Sequence, residues 1–543
     1  MKRIIINHVL IFSLALAVNI FILEIFIQNF PQNRMIPGFL NKLVPGITTI
    51  KFGLKNSLRR NIDREAFNFF GQKIRIITNE KHIRRATAID YVKSENIFRI
   101  LILGDSTTFG QGVRNDQTFS FYLEKILNKA DVGMKFEVLN GGVPNWGLIE
   151  YYFFLKSEGY KYNPDLIILA LDSSDAENLK THLIHFDRLY TKQTRKGSQT
   201  YLEEPKIIPI KILYLEFLIS KIVNNGLYDF LTSHSHMINL FRWRFKQILD
   251  SISLSEANDD ISNSLPLDDN HPNKWIIKEN GTEKRVSGVF KSKYVGTKII
   301  IEKMQSFAES RGFNFLTFQL PYHFRVLDQS FSSVDLKSLI PHTYIFSPLQ
   351  KFRLFQNKFL IPLFMPGDVH MIPSGHKLTA YILYNYLLTS GKFDFHLTKE
   401  ITPFTHNQIY EAIMQSEATT INLAKSYPFW EFTKAMVYKN KNQLKNSKSA
   451  FLRYLELEPD NLQGLFQLSM LLIKEGNFNQ AIPHLEKLVE AKGIFLEEAR
   501  NMLAIYYLKQ GDIKTAEFYK NSNPANKNFK NILKKQLGFA FGN

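Results

Sequence analysis

The sequence contains no cysteine. That absence excludes disulfides, a cysteine nucleophile and thiolate zinc sites together. It also carries no P-loop and no dinucleotide-binding glycine fingerprint. The formal net charge is +18, yet the lysines and arginines are spread along the chain without a dense basic arm or zinc-finger spacing. Charge scattered in this way does not make a nucleic-acid footprint. No nucleic acid is therefore expected as a partner, and acidic lipid headgroups or an anionic glycan suit the charge at least as well.

What is present describes a folded protein. The 543 residues are 45% hydrophobic and 22% charged, which calls for two or three domains. The chain opens with Lys2 and Arg3 and then runs apolar from Ile4 to Ile27. At ~1.5 Å per residue this stretch reaches about 36 Å as a helix, enough to cross a hydrocarbon core of ~30 Å. Phe26, Gln28, Phe30 and Pro31 follow it in place of a small-x-small cleavage site, so an uncleaved transmembrane anchor is expected. Lys2 and Arg3 favour a cytoplasmic N-terminus, a bias reduced by Arg34, Lys42 and Lys51.

From Phe98 onward, strands and helices alternate. "FRILILG" reads as a strand, "DQTFSFYLEKILNKA" as a helix and "KFEVLNGG" as a strand. "WGLIEYYFFLKSEG" is then a helix and "PDLIILAL" a continuous apolar strand. Buried strands separated by helices predict a parallel sheet covered on both faces. The pattern blurs between 180 and 290, where 251–275 reads as a polar surface loop, and returns with a helix over 292–313 and the strand "NFLTFQLP". A closing helix is expected over 375–393.

The last third is different. "NLQGLFQLSMLLIKEGNFNQAIPHLEKLVEAKG" is a helix, a Gly-Asn turn and a helix, and it recurs in "ARNMLAIYYLKQGDIKTAEFYKNSN". Gly476 and Gly511 are 35 apart, as are Ala481 and Ala516, and stepping back 34 from Ala481 reaches Ser447. The pattern over 428–522 resembles the tetratricopeptide repeat, with two good copies and a degenerate first one. Such repeats build concave surfaces, so a protein partner is expected there.

Ser106 is the candidate nucleophile. It follows an apolar strand, where a parallel sheet opens its ligand crevice, and it starts a helix whose free N–H groups favour an oxyanion. A serine hydroxyl needs a base, for which His370 is the candidate, and Asp368 is placed to orient that imidazole. His376 is expected to pack beneath the site at a helix start. His182 and His185 stand at i, i+3 without a carboxylate at metal-site spacing, and His234 and His236 read as solvent-exposed.

"GDSTTFGQGV" resembles the first block of the GDSL/SGNH hydrolase family, whose envelope-associated members carry Gly-Asp-Ser-x-Thr-x-Gly-x-Gly-Val. "VLNGGVPNWG" (138–147), "NPDLIILALDSSDAEN" (163–178) and "GDVHMIPSGHKLTA" (367–380) resemble its later blocks, in order. The resemblance spans about 98–390. It implies a three-layer α/β/α fold, a Ser106–His370–Asp368 triad and acyl transfer from an ester or acylated glycan of the cell envelope, with no cofactor and no metal. The Asp-x-His spacing is similar to that of the glycan O-acetyltransferase relatives. Oxyanion donors would be the Ser106 and Asn145 amides with Ser174. Here Asn145 stands where the family has a glycine, and Ser174 where it has an asparagine.

The organisation expected is therefore a cytoplasmic stub and anchor (1–29), a juxtamembrane region (30–96) and an SGNH-like α/β domain (97–395) with an insertion at about 180–290. A linker helix region (396–427), the all-α repeats (428–522) and a basic tail (523–543) follow. The implied setting is a bacterial inner membrane, crossed once by residues 4–27 in contact with its lipid, with the main domains on the periplasmic face.

Overall fold

The computed structural model describes residues 48–51, 54–130, 133–171, 175, 190–194, 197–201, 276–279, 282–285, 300–328, 345–393, 402–493 and 495–521. The expected anchor (4–27), Ser174, His182, His185, His234, His236 and the basic tail lie outside these residues. Among the described residues no helix is long and apolar enough to cross a membrane. The chain divides into two compact units. The first comprises Met1–Tyr322, Ser333–Leu349 and Val369–Gln415; the second comprises His323–Ser332, Gln350–Asp368 and Ser416–Asn543.

The first unit begins with two antiparallel hairpins, β1 (Thr48–Lys51) with β2 (Leu54–Leu58) and β3 (Asp63–Phe67) with β4 (Lys73–Ile77). In β4 exposed and buried positions alternate, as a strand with one wet face requires. Ala66, Ile74, Ile76, Ile83 and Ile89 enter the same hydrophobic core as Leu101, Leu103 and Leu169. Much of the stretch read as juxtamembrane is thus part of the α/β unit's packing.

The central sheet is parallel and five-stranded. Its members are β5 (Ile97–Gly104), β6 (Lys135–Gly142), β7 (Leu166–Leu171), β12 (Asn314–Gln319) and β13 (Ile345–Phe346), in the spatial order β13-β12-β7-β5-β6. All six residues of β7 and all but the first of β5 are buried, the signature of strands covered on both faces. Two further hairpins, β8 (Tyr190–Thr194) with β9 (Gly197–Tyr201) and β10 (Ile276–Glu279) with β11 (Thr282–Arg285), fall within the expected insertion. The helices that position the site are α1 (Ser106–Phe109), α2 (Phe119–Lys129) and α3 (Leu148–Ser157).

The second unit includes α4 (His323–Leu327), most of α5 (Leu349–Phe359) and, after α6 (Pro373–Thr389) of the first unit and α7 (His406–Lys425), three helical pairs. These are α8 (Phe429–Asn440) with α9 (Leu444–Leu457), α10 (Leu462–Lys474) with α11 (Phe478–Glu490), and α12 (Leu496–Lys509) with α13 (Ile513–Asn521). Small residues sit where helices touch. Ser447, Ala481 and Ala516 are all buried, and Ser447 Oγ donates to the Ala435 carbonyl at 2.9 Å.

The first helix of each pair ends in the same way. Asn442, Gly476 and Gly511 adopt φ of 57°, 79° and 80°. The next residue's N–H returns to a carbonyl five positions back: Gln443 to Tyr438, Asn477 to Leu472 and Asp512 to Tyr507, at 2.8–2.9 Å. This is the Schellman closure, which needs a residue tolerant of left-handed backbone at its pivot.

Candidate active site

β5 ends at Gly104, and Asp105 caps α1 by accepting from the Thr107 N–H at 2.9 Å. Ser106 is the first helical residue and is half-buried. The helix lasts four residues and closes on Gly110, at φ +83°. The Gly110 and Gln111 N–H groups both return to the Ser106 carbonyl, at 3.0 and 2.9 Å. The turn lies against β6. A Cβ on Gly142 would stand 2.2 Å from the Phe109 nitrogen, so only glycine admits this approach.

The sheet order explains why a functional group belongs here. From β5 the chain moves to β6 on one side, then returns to β7 on the other. A crevice opens at the carboxyl ends of strands where the winding reverses. β5 and β6 end level, with Gly104 opposite Gly142 and the Val143 N–H donating to the Gly104 carbonyl at 3.0 Å.

His370 lies in the irregular segment before α6, half-buried. Its Nε2 is 2.8 Å from Ser106 Oγ. With the hydroxyl donating, Nε2 accepts and the ring proton resides on Nδ1, the tautomer a general base requires.

Asp368, two residues earlier, follows a tight turn. Its N–H donates to the Met365 carbonyl at 3.1 Å, with Pro366 and then Gly367 at φ +69° between them. Its own carbonyl accepts from Nδ1 of His323 at 2.9 Å. That imidazole is buried, stacked on Phe364 at 4.6 Å, and burial pushes its pKa down to about 4.

Asn145 occupies the same kind of turn. The Trp146 N–H donates to Val143 O at 3.2 Å across Pro144 and Asn145, and Asn145 has φ +65°. Proline followed by a residue of positive φ is a type II turn, for which asparagine is the usual substitute for glycine. The Asn145 side chain is exposed. Beside Ser174, Asp175 is buried, and the Tyr151 hydroxyl stands 2.8 Å from its Oδ1.

His376, the fourth residue of α6, is buried and stacks near-parallel to Phe119 at 6.0 Å. Burial, then the charges of Arg84 and His370, push its pKa down to about 3, and its Nδ1 has no hydrogen-bond partner. It is a neutral packing residue.

Arg84 stands out only in the structure. Its guanidinium is buried and donates to the carbonyls of Phe109 and Gly110 through Nη1, to that of Val113 through Nη2, and through Nε to Asn115 Oδ1 at 3.1 Å. In sequence it is indistinguishable from its neighbour Arg85, which makes an ordinary ion pair with Glu124 at 2.6 Å.

No curated protein matches the chain. Residues 432–461 and 462–494 each match the family model of the tetratricopeptide repeat, the first of them the copy that reads as degenerate in sequence. The pairs α8–α9 and α10–α11 are therefore tetratricopeptide repeats, a class that generally mediates contacts between proteins.

Proposed function

We propose that the chain is a serine-dependent acyl-transfer enzyme of the GDSL/SGNH type, an ester hydrolase or O-acyl(acetyl)transferase acting on a cell-envelope glycan or related ester. The observation that carries this reading is the 2.8 Å approach of His370 Nε2 to Ser106 Oγ at the reversal point of the parallel sheet. Ser106 Oγ attacks the ester carbonyl carbon as its proton passes to His370 Nε2. The oxyanion takes the Ser106 and Asn145 N–H groups, with the Ser174 hydroxyl. Collapse breaks the ester bond, and His370 returns the proton to the departing alkoxide. Water or a sugar hydroxyl then takes the acyl group from Ser106. Asp368 supplies the carboxylate for the Nδ1–H of His370. In the same reading residues 4–27 hold the chain in the inner membrane with the site on its outer face, and the repeats recruit a protein partner.

A second reading has its own support. One missing oxyanion donor costs about 2.7–4 kcal/mol of transition-state stabilisation, and Ser174 replaces a family asparagine. A slow or inactive α/β unit that binds glycan while the repeats act as a scaffold fits that change. Treating the full-length chain with a fluorophosphonate and an aryl acetate separates the two. Labelling and acetate release that vanish in Ser106→Ala and His370→Ala support the enzyme; a folded chain showing neither supports the scaffold.

A further inference from the structure

A helix of four residues has no stability of its own, so the position of Ser106 depends on what holds α1. Along α1 the Ser106 carbonyl is tied to the N–H groups of Gly110 and Gln111. The carbonyls of Phe109, Gly110 and Val113 all converge on one buried guanidinium, that of Arg84. The same group lies over the Phe109 ring at 4.3 Å. Asn115 completes the fork: its Oδ1 accepts from Arg84 Nε and from the Ile77 N–H, while its Nδ2 donates to Ile77 O at 2.7 Å. The loop behind the nucleophile is thereby fastened to β4.

Among the described residues no carboxylate forms an ion pair with Arg84. A buried cation satisfied by carbonyls alone is an expensive way to fill three acceptors, since water or an amide side chain would serve without the desolvation. What the guanidinium adds is a rigid planar fork that fixes several acceptors at once, which lysine cannot reproduce.

We infer that Arg84 is the positioning residue of the nucleophile: it clamps the 109–113 carbonyls from behind so that Ser106 Oγ is held at His370 Nε2. This rests on Ser106 acting as the nucleophile. The clamp also places a positive charge inside the unit, one that His376 registers.

The test uses the full-length chain with Arg84→Lys and Arg84→Met, the former keeping charge and stem should the latter fail to fold. Three quantities are measured: the fluorophosphonate labelling rate of Ser106, kcat and KM for an aryl acetate, and hydrogen exchange of the amides in 105–113. Both variants are expected to label and turn over about 100-fold more slowly, the loss that a small misplacement of a reacting group brings, with KM little changed. Exchange should quicken within 105–113 and stay at the wild-type rate in β7. Guanidinium ion added at sub-denaturing concentration should restore part of the labelling in Arg84→Met and none in Ser106→Ala. Arg84→Lys labelling at the wild-type rate, or a folded variant with unchanged exchange at 105–113, overturns the inference. A wild-type chain that takes no label overturns the acyl-transfer reading instead, and the exchange measurement still decides whether Arg84 holds the turn.

Discussion

His370 Nε2 meets Ser106 Oγ at 2.8 Å although the two residues are 264 positions apart in the chain. On the proposed acyl-transfer reading neither side chain does the chemistry alone, so their loss is not additive. Ser106→Ala and His370→Ala are each expected to lower kcat at least about a thousandfold, and the double variant no further. Single-turnover kinetics on the three proteins check this. A double variant slower than either single one by the product of their effects would mean that the two residues do not act as a pair.

Gly142 sets how closely α1 can approach β6. In Gly142→Ala the new methyl would stand 2.2 Å from the Phe109 nitrogen, and the atom in its way is backbone. The turn must move or the strand must bend. The expected cost is about 1–3 kcal/mol in urea unfolding, together with a labelling rate at Ser106 that falls by more than the stability loss explains.

Asn145 at φ +65° offers a cleaner separation of backbone from side chain. Asn145→Gly keeps the N–H and relieves the left-handed conformation, so stability and turnover should both hold within about twofold. Asn145→Val keeps the N–H but is strained there, by roughly 1–2 kcal/mol. Should Asn145→Gly alone abolish turnover with the fold intact, the amide side chain rather than the backbone is the oxyanion donor.

The buried histidines make stability depend on pH. His376 and His323 fall from an ordinary 6.5 to about 3 and about 4, mainly through burial. Between pH 6.5 and 4 the unfolded chain therefore binds protons that the folded chain refuses. Stability rises with pH across that window and is lost as pH falls through it, by roughly 3 kcal/mol per histidine at pH 4. Urea midpoints measured from pH 7 to pH 4 should fall steeply in the wild type and less steeply in His376→Gln. Identical slopes would show that His376 does not carry this dependence.

In the repeats, the pivot residues predict their own tolerance. Gly476→Ala, at φ +79° with open space around it, should cost about 1 kcal/mol from backbone strain alone. Asn442→Gly, at φ +57°, should be close to neutral. Thermal unfolding of the two variants decides it.

The parallel strands are legible in the sequence because each is a short unbroken apolar run that stops at a turn signal, as at Ile100–Leu103 and Leu166–Leu171. The place of Ser106, just past the end of such a strand and at the start of a helix, is legible for the same reason. The hairpin of β3 and β4 is not. Its buried Ala66, Ile74 and Ile76 alternate with exposed Glu65, Lys73 and Arg75, so the stretch reads as a polar connector until its isoleucines are seen in the core. β13 has two residues and no pattern to read. Arg84 is invisible because desolvation is a property of the fold, and nothing in "HIRRATA" separates it from half-buried, ion-paired Arg85. The first repeat reads as degenerate because asparagine stands at its pivot, yet Asn442 closes its helix with the same bonds as Gly476.

The separation of Ser106 from His370 also sets a clock. Ribosomes deliver roughly 5–20 residues per second, so the 264 residues between the pair take on the order of 10 to 50 s to emerge. β5, β6 and β7 are complete once Leu171 has emerged, long before His370 is made. On the proposed acyl-transfer reading, the hydroxyl leaves the ribosome without its base and gains it only when the last quarter of the α/β unit has been made.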